Sequence, residues 1–168
     1  MPVDFRPTEG HIVSQAFDEA QSLKANELGT VAQFRDVGST DYGSAFFKYV
    51  KYDTGTGPVA ALANYVAYYY LVTGYKRSEV SMDRTDATPA LGAGVLHSAP
   101  TNGQYIWIQV TGVATLGIAL TAGADGNALT AVGAGADGTL DVSNAVTDQI
   151  CAVATDISAY EIICMFPI

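Results

Sequence analysis

The run from Asn102 to Gly112 constrains the fold more than any other stretch of the chain. In an extended strand, successive side chains point to opposite faces. Ile106, Ile108 and Val110 therefore share one face, and Tyr105, Trp107 and Gln109 share the other. Asn102-Gly103 before the run and Thr111-Gly112 after it are turn signals. A strand with two occupied faces belongs in the middle of a sheet, with one face in a core and the other against a second layer or a partner. Trp107 is the only tryptophan, and a lone Trp in a small β domain points to the chain's own core.

Further strands follow from the same period-two pattern. Val31–Val37 reads as a strand, 38–43 as a loop, and Phe46–Tyr52 as a strand rich in aromatics. Asp53-Thr54-Gly55-Thr56-Gly57-Pro58 is a turn cluster. The stretch Val59–Val72 mixes helix-favouring alanines with strand-favouring tyrosines. It divides into a connector over Val59–Asn64 and a strand over Tyr65–Val72. Tyr75–Arg84 is polar and charged, and Lys76, Arg77 and Glu79 suit it to a sheet edge. Gly92–His97, Val113–Leu120, Gln149–Thr155 and Tyr160–Phe166 complete the set. In the last strand Tyr160, Ile162, Cys164 and Phe166 alternate with Glu161, Ile163 and Met165. Strands at intervals near ~8–12 residues, with no alternating β–α units, predict an all-β fold: an antiparallel β-barrel or β-sandwich over residues 28–168.

Residues 1–27 differ. Ile12, Val13, Ala16, Phe17, Ala20 and Leu23 keep a helical spacing, which predicts a short helix over Ser14–Lys24 with Ser14 as its cap. Two readings of this N-terminal arm stand side by side. It folds back onto its own barrel, or it reaches a neighbouring subunit with Phe5, Ile12 and Phe17 as anchors.

The charge excludes some function classes. The chain carries net −9, with 49% hydrophobic and 15% charged residues. Residues 1–84 hold ten acids and eight bases, net −2; residues 85–168 hold seven acids and no base, net −7. A half without Lys or Arg cannot neutralise phosphates, so no nucleic acid is expected as a partner there. The acidity is read as a solubility device. The longest apolar run, Pro58–Val72, is interrupted by Asn64 and is too short for a ~30 Å bilayer core, so no membrane span is expected. Met1–Asp4 lacks the basic and apolar regions of a signal peptide, which predicts synthesis in a cytoplasm. Cys151 and Cys164 sit in apolar runs, where buried free thiols are expected, with a cross-strand disulfide as the alternative.

No chemical motif emerges. The chain has no nucleophile elbow, phosphate loop or zinc-helix motif, and His11 and His97 are its only histidines. No catalytic residue, metal ligand or cofactor is predicted. Two Gly-Ala-Asp-Gly units, 123–126 and 135–138, resemble calcium-binding β-helix repeats only superficially. Their twelve-residue spacing misses the nine-residue register, and hairpin turns are expected instead. Tyr68-Tyr69-Tyr70 are candidate binding rings, since aromatics in a row serve cores, interfaces or stacking platforms.

Several pieces in order resemble the capsid decoration (head-stabilising, or cement) proteins of tailed phages. These are Leu28-Gly29-Thr30, Asp41-Tyr42-Gly43, Phe46-Phe47-Lys48-Tyr49-Val50-Lys51, Tyr65-Val66-Ala67-Tyr68, and Ala90–Leu96 leading into Gly103-Gln104-Tyr105-Ile106-Trp107-Ile108-Gln109-Val110-Thr111-Gly112. The small-residue strand Val113–Leu120 follows as it does in that family. The resemblance covers residues 28–168. It implies a non-enzymatic virion protein on the outer surface of an icosahedral capsid, bound to the major capsid protein and commonly trimeric. Residues 1–27 are not covered by it; on this reading the arm's Phe5, Ile12 and Phe17, with Tyr68, Tyr69 and Tyr70, are candidates for capsid or partner contact, and Tyr49, Tyr105 and Trp107 are candidates for the core or a homotrimer interface. An alternative is a receptor- or glycan-binding β domain of a phage fibre or tail, using Tyr68–Tyr70 and Trp107. A small hydrolase is the weakest reading, because no nucleophile and base can be paired.

Overall fold

The structure, a computed structural model, describes residues 15–34, 44–70, 78–86 and 91–168. It is all-β. Among the described residues, eleven strands run in chain order: β1 Val31–Phe34, β2 Ala45–Tyr52, β3 Val66–Tyr69, β4 Glu79–Ser81, β5 Gly92–Leu96, β6 Tyr105–Gln109, β7 Thr111–Thr115, β8 Ala128–Thr130, β9 Asp141–Val142, β10 Ile150–Asp156 and β11 Glu161–Met165. The expected strands at 31–37 and 65–72 are shorter here, and their continuations, like the 38–43 loop, lie outside the described residues.

The first sheet closes on itself. Strand β2 pairs with β4, β4 with β3, β3 with β5, β5 with β6, and β6 again with β2, which makes a five-stranded barrel. Every pairing is antiparallel except β2–β4. Strand β1 is an outlier on β2, outside the closed ring. Backbone polarity explains how β2 holds three partners. Amides of alternate residues face the same edge. On one edge Tyr49 N donates to Thr30 O beside β1, and Lys51 and Asp53 donate to Ser78 O and Val80 O beside β4. The opposite edge carries β6, in register Phe47↔Gln109 to Lys51↔Tyr105. The described part of the polar 75–84 stretch, 78–84, therefore does not form the sheet edge that its composition suggested; Lys76 and Arg77 lie outside the described residues. Strand β4 fills the half of β2's edge that β1 leaves open and is flanked by β3 on its other side. Its Glu79 lies 3.8 Å from the Lys51 ammonium.

The second sheet is antiparallel, in the order β7-β11-β10-β8-β9. Thr111-Gly112 does not turn the chain back. The chain passes from β6 straight into β7, and Val110 belongs to both sheets: its amide donates to Phe46 O (2.8 Å) and its carbonyl accepts from Phe166 N (3.0 Å). Gly112 makes the transfer possible, since its φ is +89° and a Cβ there would lie 3.0 Å from the Ala45 side chain. The second sheet lies against β5 closely enough that a side chain at Gly92 would meet Phe166 and Cys151 at 2.9 and 3.0 Å.

Strands β8 and β9 fall in a Gly/Ala-rich stretch where the sequence carries no strand signal. Both Gly-Ala-Asp-Gly units are turns. The second lies in the loop of the antiparallel β8–β9 hairpin, while the first precedes β8, outside any hairpin among the described residues. Gly126 and Gly138 take the positive φ of +84° and +76° that an Asp-Gly turn needs.

The expected helix over Ser14–Lys24 does not form in its described part, 15–24. A helix would commit the Gln21 amide to the carbonyl four residues earlier. Gln21 instead exchanges backbone hydrogen bonds with Tyr105, at 3.0 and 2.8 Å. Phe5 and Ile12 lie outside the described residues.

Two apolar clusters result. The larger unites the barrel interior with the inner face of the second sheet, including Val50, Val66, Ile106, Ile108, Leu129, Ala152 and Ile162. The smaller lies on the outer face of β1, β2 and β6 and contains Phe17, Phe34, Phe47, Tyr49 and Trp107.

Candidate functional site

Strand alternation decides where each candidate ring goes. Tyr68, Tyr69 and Tyr70 are 0, 1 and 8% exposed. Strand β3 is covered on both faces, so alternation exposes neither set. Tyr68 Oη donates to Thr139 O at 2.7 Å, and Tyr69 Oη donates to Pro167 O at 3.2 Å while accepting from Lys48 Nζ at 2.9 Å. Burial pushes the Tyr68 hydroxyl well above the usual tyrosine range, with the carboxylate of Asp137 as a lesser cause. These tyrosines are core residues and present no free ring to a capsid or a glycan.

Trp107 is buried in the chain's own aromatic cluster, as its place in the strand suggested. Its ring lies 5.4 Å from Phe34 and 5.0 Å from Tyr49, centroid to centroid. Tyr49 is fully buried, and Tyr105 stacks on it at 6.2 Å. Tyr49 and Trp107 thus stand as core residues, covered by the chain's own segment 15–21. Phe17 anchors, but in cis: it packs on Phe34, Phe47 and His97 at 5.7, 5.1 and 5.2 Å.

Gln109 is the functional side chain that pattern reading missed. It is fully buried. Its Nε2 donates to the carbonyls of Thr111 and Val113 (3.0 and 2.9 Å), which satisfies the rim of β7. Its Oε1 lies 2.7 Å from His97 Nε2. Because that oxygen can only accept, His97 must carry a proton on Nε2. Burial holds the His97 pKa below its ordinary value; the bond to Gln109 and the Asp18 carboxylate oppose this. An amide among Ile108, Val110 and aromatics is the available signal, since a buried polar group must find partners.

Cys151 and Cys164 are free and buried. Burial pushes the Cys151 thiol up to about 12 and raises that of Cys164 as well, so neither is a thiolate nucleophile near neutrality. No group of three or more His, Cys, Asp or Glu is placed to hold a metal among the described residues. No helix among them is long and apolar enough to cross a membrane.

What the chain does present is the outer face of the second sheet. Direct cross-strand partners share a face. Val113 pairs with Ile163, Ile163 with Val153, and Val153 with Ala128, so an apolar row crosses four strands. Met165, beside Thr111, is 47% exposed and Ile163 is 41% exposed. Phe46, whose amide donates to Thr111 Oγ1, is 41% exposed and extends the apolar surface. Glu161 and its direct cross-strand partner Asp156 are charged and bound the apolar row, and Glu161 Oε1 accepts from Thr155 Oγ1 at 2.8 Å. The inward residues of β11, Ile162 and Cys164, belong to the core.

Comparison of the chain with protein-family models, with curated proteins and with solved structures finds no match.

Proposed function

We propose that this chain is a virion structural protein. In this reading it binds the outer surface of an icosahedral phage capsid and stabilises it as a decoration protein. The observation that carries the reading is the outer face of the second sheet. It carries the apolar row Val113, Ile163, Val153 and Ala128, bounded by Glu161 and Asp156, on a chain of net charge −9. An exposed apolar row on a hydrogen-bonded sheet is surface that a soluble chain ordinarily covers with a partner. The ordered motifs from Leu28 to Gly112 support the same reading through their resemblance to decoration proteins.

Its work is binding energy repeated over many lattice sites. Covering Val113, Val153, Ile163 and Met165 removes apolar area from water at about 25 cal/mol per Å². The absence of Lys and Arg beyond residue 84 leaves this face without a competing phosphate or anion role. The major capsid protein is the partner, and a homotrimer is the assembly state that the family resemblance carries. Tyr49, Tyr68 and Trp107 are buried and serve the fold of each copy.

Add-back to shells tests this. Capsids lacking their decoration protein, mixed with the purified chain, should bind it to saturation and gain resistance to heat or chelator. Unbound protein and unprotected shells would overturn the proposal.

A further inference from the structure

Residues 15–21 form a strap without helix or strand that closes the aromatic face of β1, β2 and β6. It is held at three points. Phe17 enters the ring cluster between Phe34, Phe47 and His97. The Gln15 amide donates to Tyr105 O (2.9 Å) and accepts from Tyr49 Oη (2.9 Å). Gln21 adds one residue of antiparallel pairing to the edge of β6 that faces away from β2.

The connector that follows is built differently. From Gln21 at the far edge of β6, the chain crosses the face to Gly29 and Thr30, which bond to Tyr49 on the β1 side. That path spans about three strand spacings, roughly 14 Å. The eight peptide units available reach about 26–29 Å when extended. The connector is thus about twice as long as its path, and along the way the backbone of Ala25 (3.1 Å) and of Asn26 bonds to the Tyr49 hydroxyl. It also exposes Leu23 to 83% and Leu28 to 37%, while Lys24 pairs with Glu27 within the connector itself. A slack, exposed connector between a specific strap and its groove is the arrangement in which a segment exchanges between identical chains at low cost, because every contact of the strap is reproduced in the partner's groove.

We infer that the groove formed by Phe34, Phe47, Tyr49, Tyr105 and Trp107 takes residues 15–21 of a second copy of this chain, so that copies are linked by exchanged straps. In the exchanged form the connectors run between copies, and Leu23 and Leu28 become contact residues. This linkage does not depend on the shell-binding reading: a chain can exchange straps without binding a capsid, and can bind one as a monomer.

Sedimentation velocity of the full chain over a wide concentration range, beside Leu23→Ser/Leu28→Ser, tests it, because these two side chains become contacts only in the exchanged form. The wild type should self-associate. Leu23→Ser/Leu28→Ser, with its fold verified by circular dichroism, should raise the apparent dissociation constant about tenfold or more, the equivalent of about 1.4 kcal/mol. A wild type that stays monomeric to its solubility limit overturns the inference, as does association that Leu23→Ser/Leu28→Ser leaves unchanged. Trapping gives a second readout. In a Gln21→Cys/Tyr105→Cys variant oxidised at high concentration, exchanged straps yield covalent dimers on non-reducing gels, with the single variants as controls for the buried native thiols. Covalently closed monomers alone count against exchange; a variant that fails to fold leaves the sedimentation result to decide.

Discussion

The barrel interior and the aromatic cluster outside it are made from alternate residues of the same strands, yet they are enclosed in different ways. Val50, Ile106 and Ile108 point inward, where five paired strands and the second sheet surround them. Phe47, Tyr49 and Trp107 point outward from the same β2 and β6, where the strap, with a single backbone bridge, forms the lid. Both clusters exclude water, but only the interior is locked by strand hydrogen bonds. Regions held by few backbone bonds open locally at less cost than global unfolding. The comparison therefore separates what holds the fold from what is available to rearrange.

The largest effect is expected inside. Ile106→Ala should cost about 2–5 kcal/mol in chemical denaturation, because the closed barrel cannot collapse around the missing atoms. A loss below about 1 kcal/mol would mean that the interior is no better packed than the strap side. Next comes the joint between the sheets. Gln109→Leu leaves the Thr111 and Val113 carbonyls and the His97 proton without their partner. It should cost about 1–3 kcal/mol for each buried group left unpaired, read from the denaturation midpoint. A neutral result would show that the amide is incidental to the joint.

Much of this frame is legible in the sequence, and the reason it stops is physical. The faces of the Trp107 strand, of Phe46–Tyr52 and of Tyr160–Phe166 follow from period-two alternation, which is local. The Tyr68–Tyr70 run defeats that logic, since a strand covered on both sides has no exposed set for alternation to reveal. The placement of Glu79–Ser81 between β2 and β3 depends on how β1 and β4 share one edge of β2, a long-range fact that composition does not carry. The strap's failure to form a helix is equally non-local: Gln15, Phe17 and Gln21 satisfy themselves on residues far along the chain. For the proposed binding face, the alternation of Ile163 and Met165 against Ile162 and Cys164 is plain in the sequence. Glu161, which alternates in step with Ile163 and Met165, is the one sequence mark of the outward set.

Smaller effects sharpen the comparison from the strap side. Phe17→Ala should open the strap while the barrel persists. Trp107 emission should shift to the red, and global stability should fall less than for Ile106→Ala. Equal losses in the two variants would make strap and barrel one cooperative unit. The smallest effect is with pH. His97 packs against Phe17 and Phe47, and burial lowers its pKa in the folded state. The released or unfolded chain then takes up the proton first, at about 6.5. Stability is complete above that value and declines as pH falls from it toward the lowered folded pKa. Backbone exchange of residues 15–21 should rise over that window in the wild type and flatten in His97→Gln; a wild-type profile without any slope would remove His97 from the strap's energetics.

The central claim is that the outer face of the second sheet binds a capsid. A cryo-EM map of decoration-free shells incubated with the chain tests it most directly. The account predicts ordered density on the outer surface, with Val113, Val153, Ile163 and Met165 against the shell. A bare lattice, or bound density with β11 turned to solvent, would contradict it.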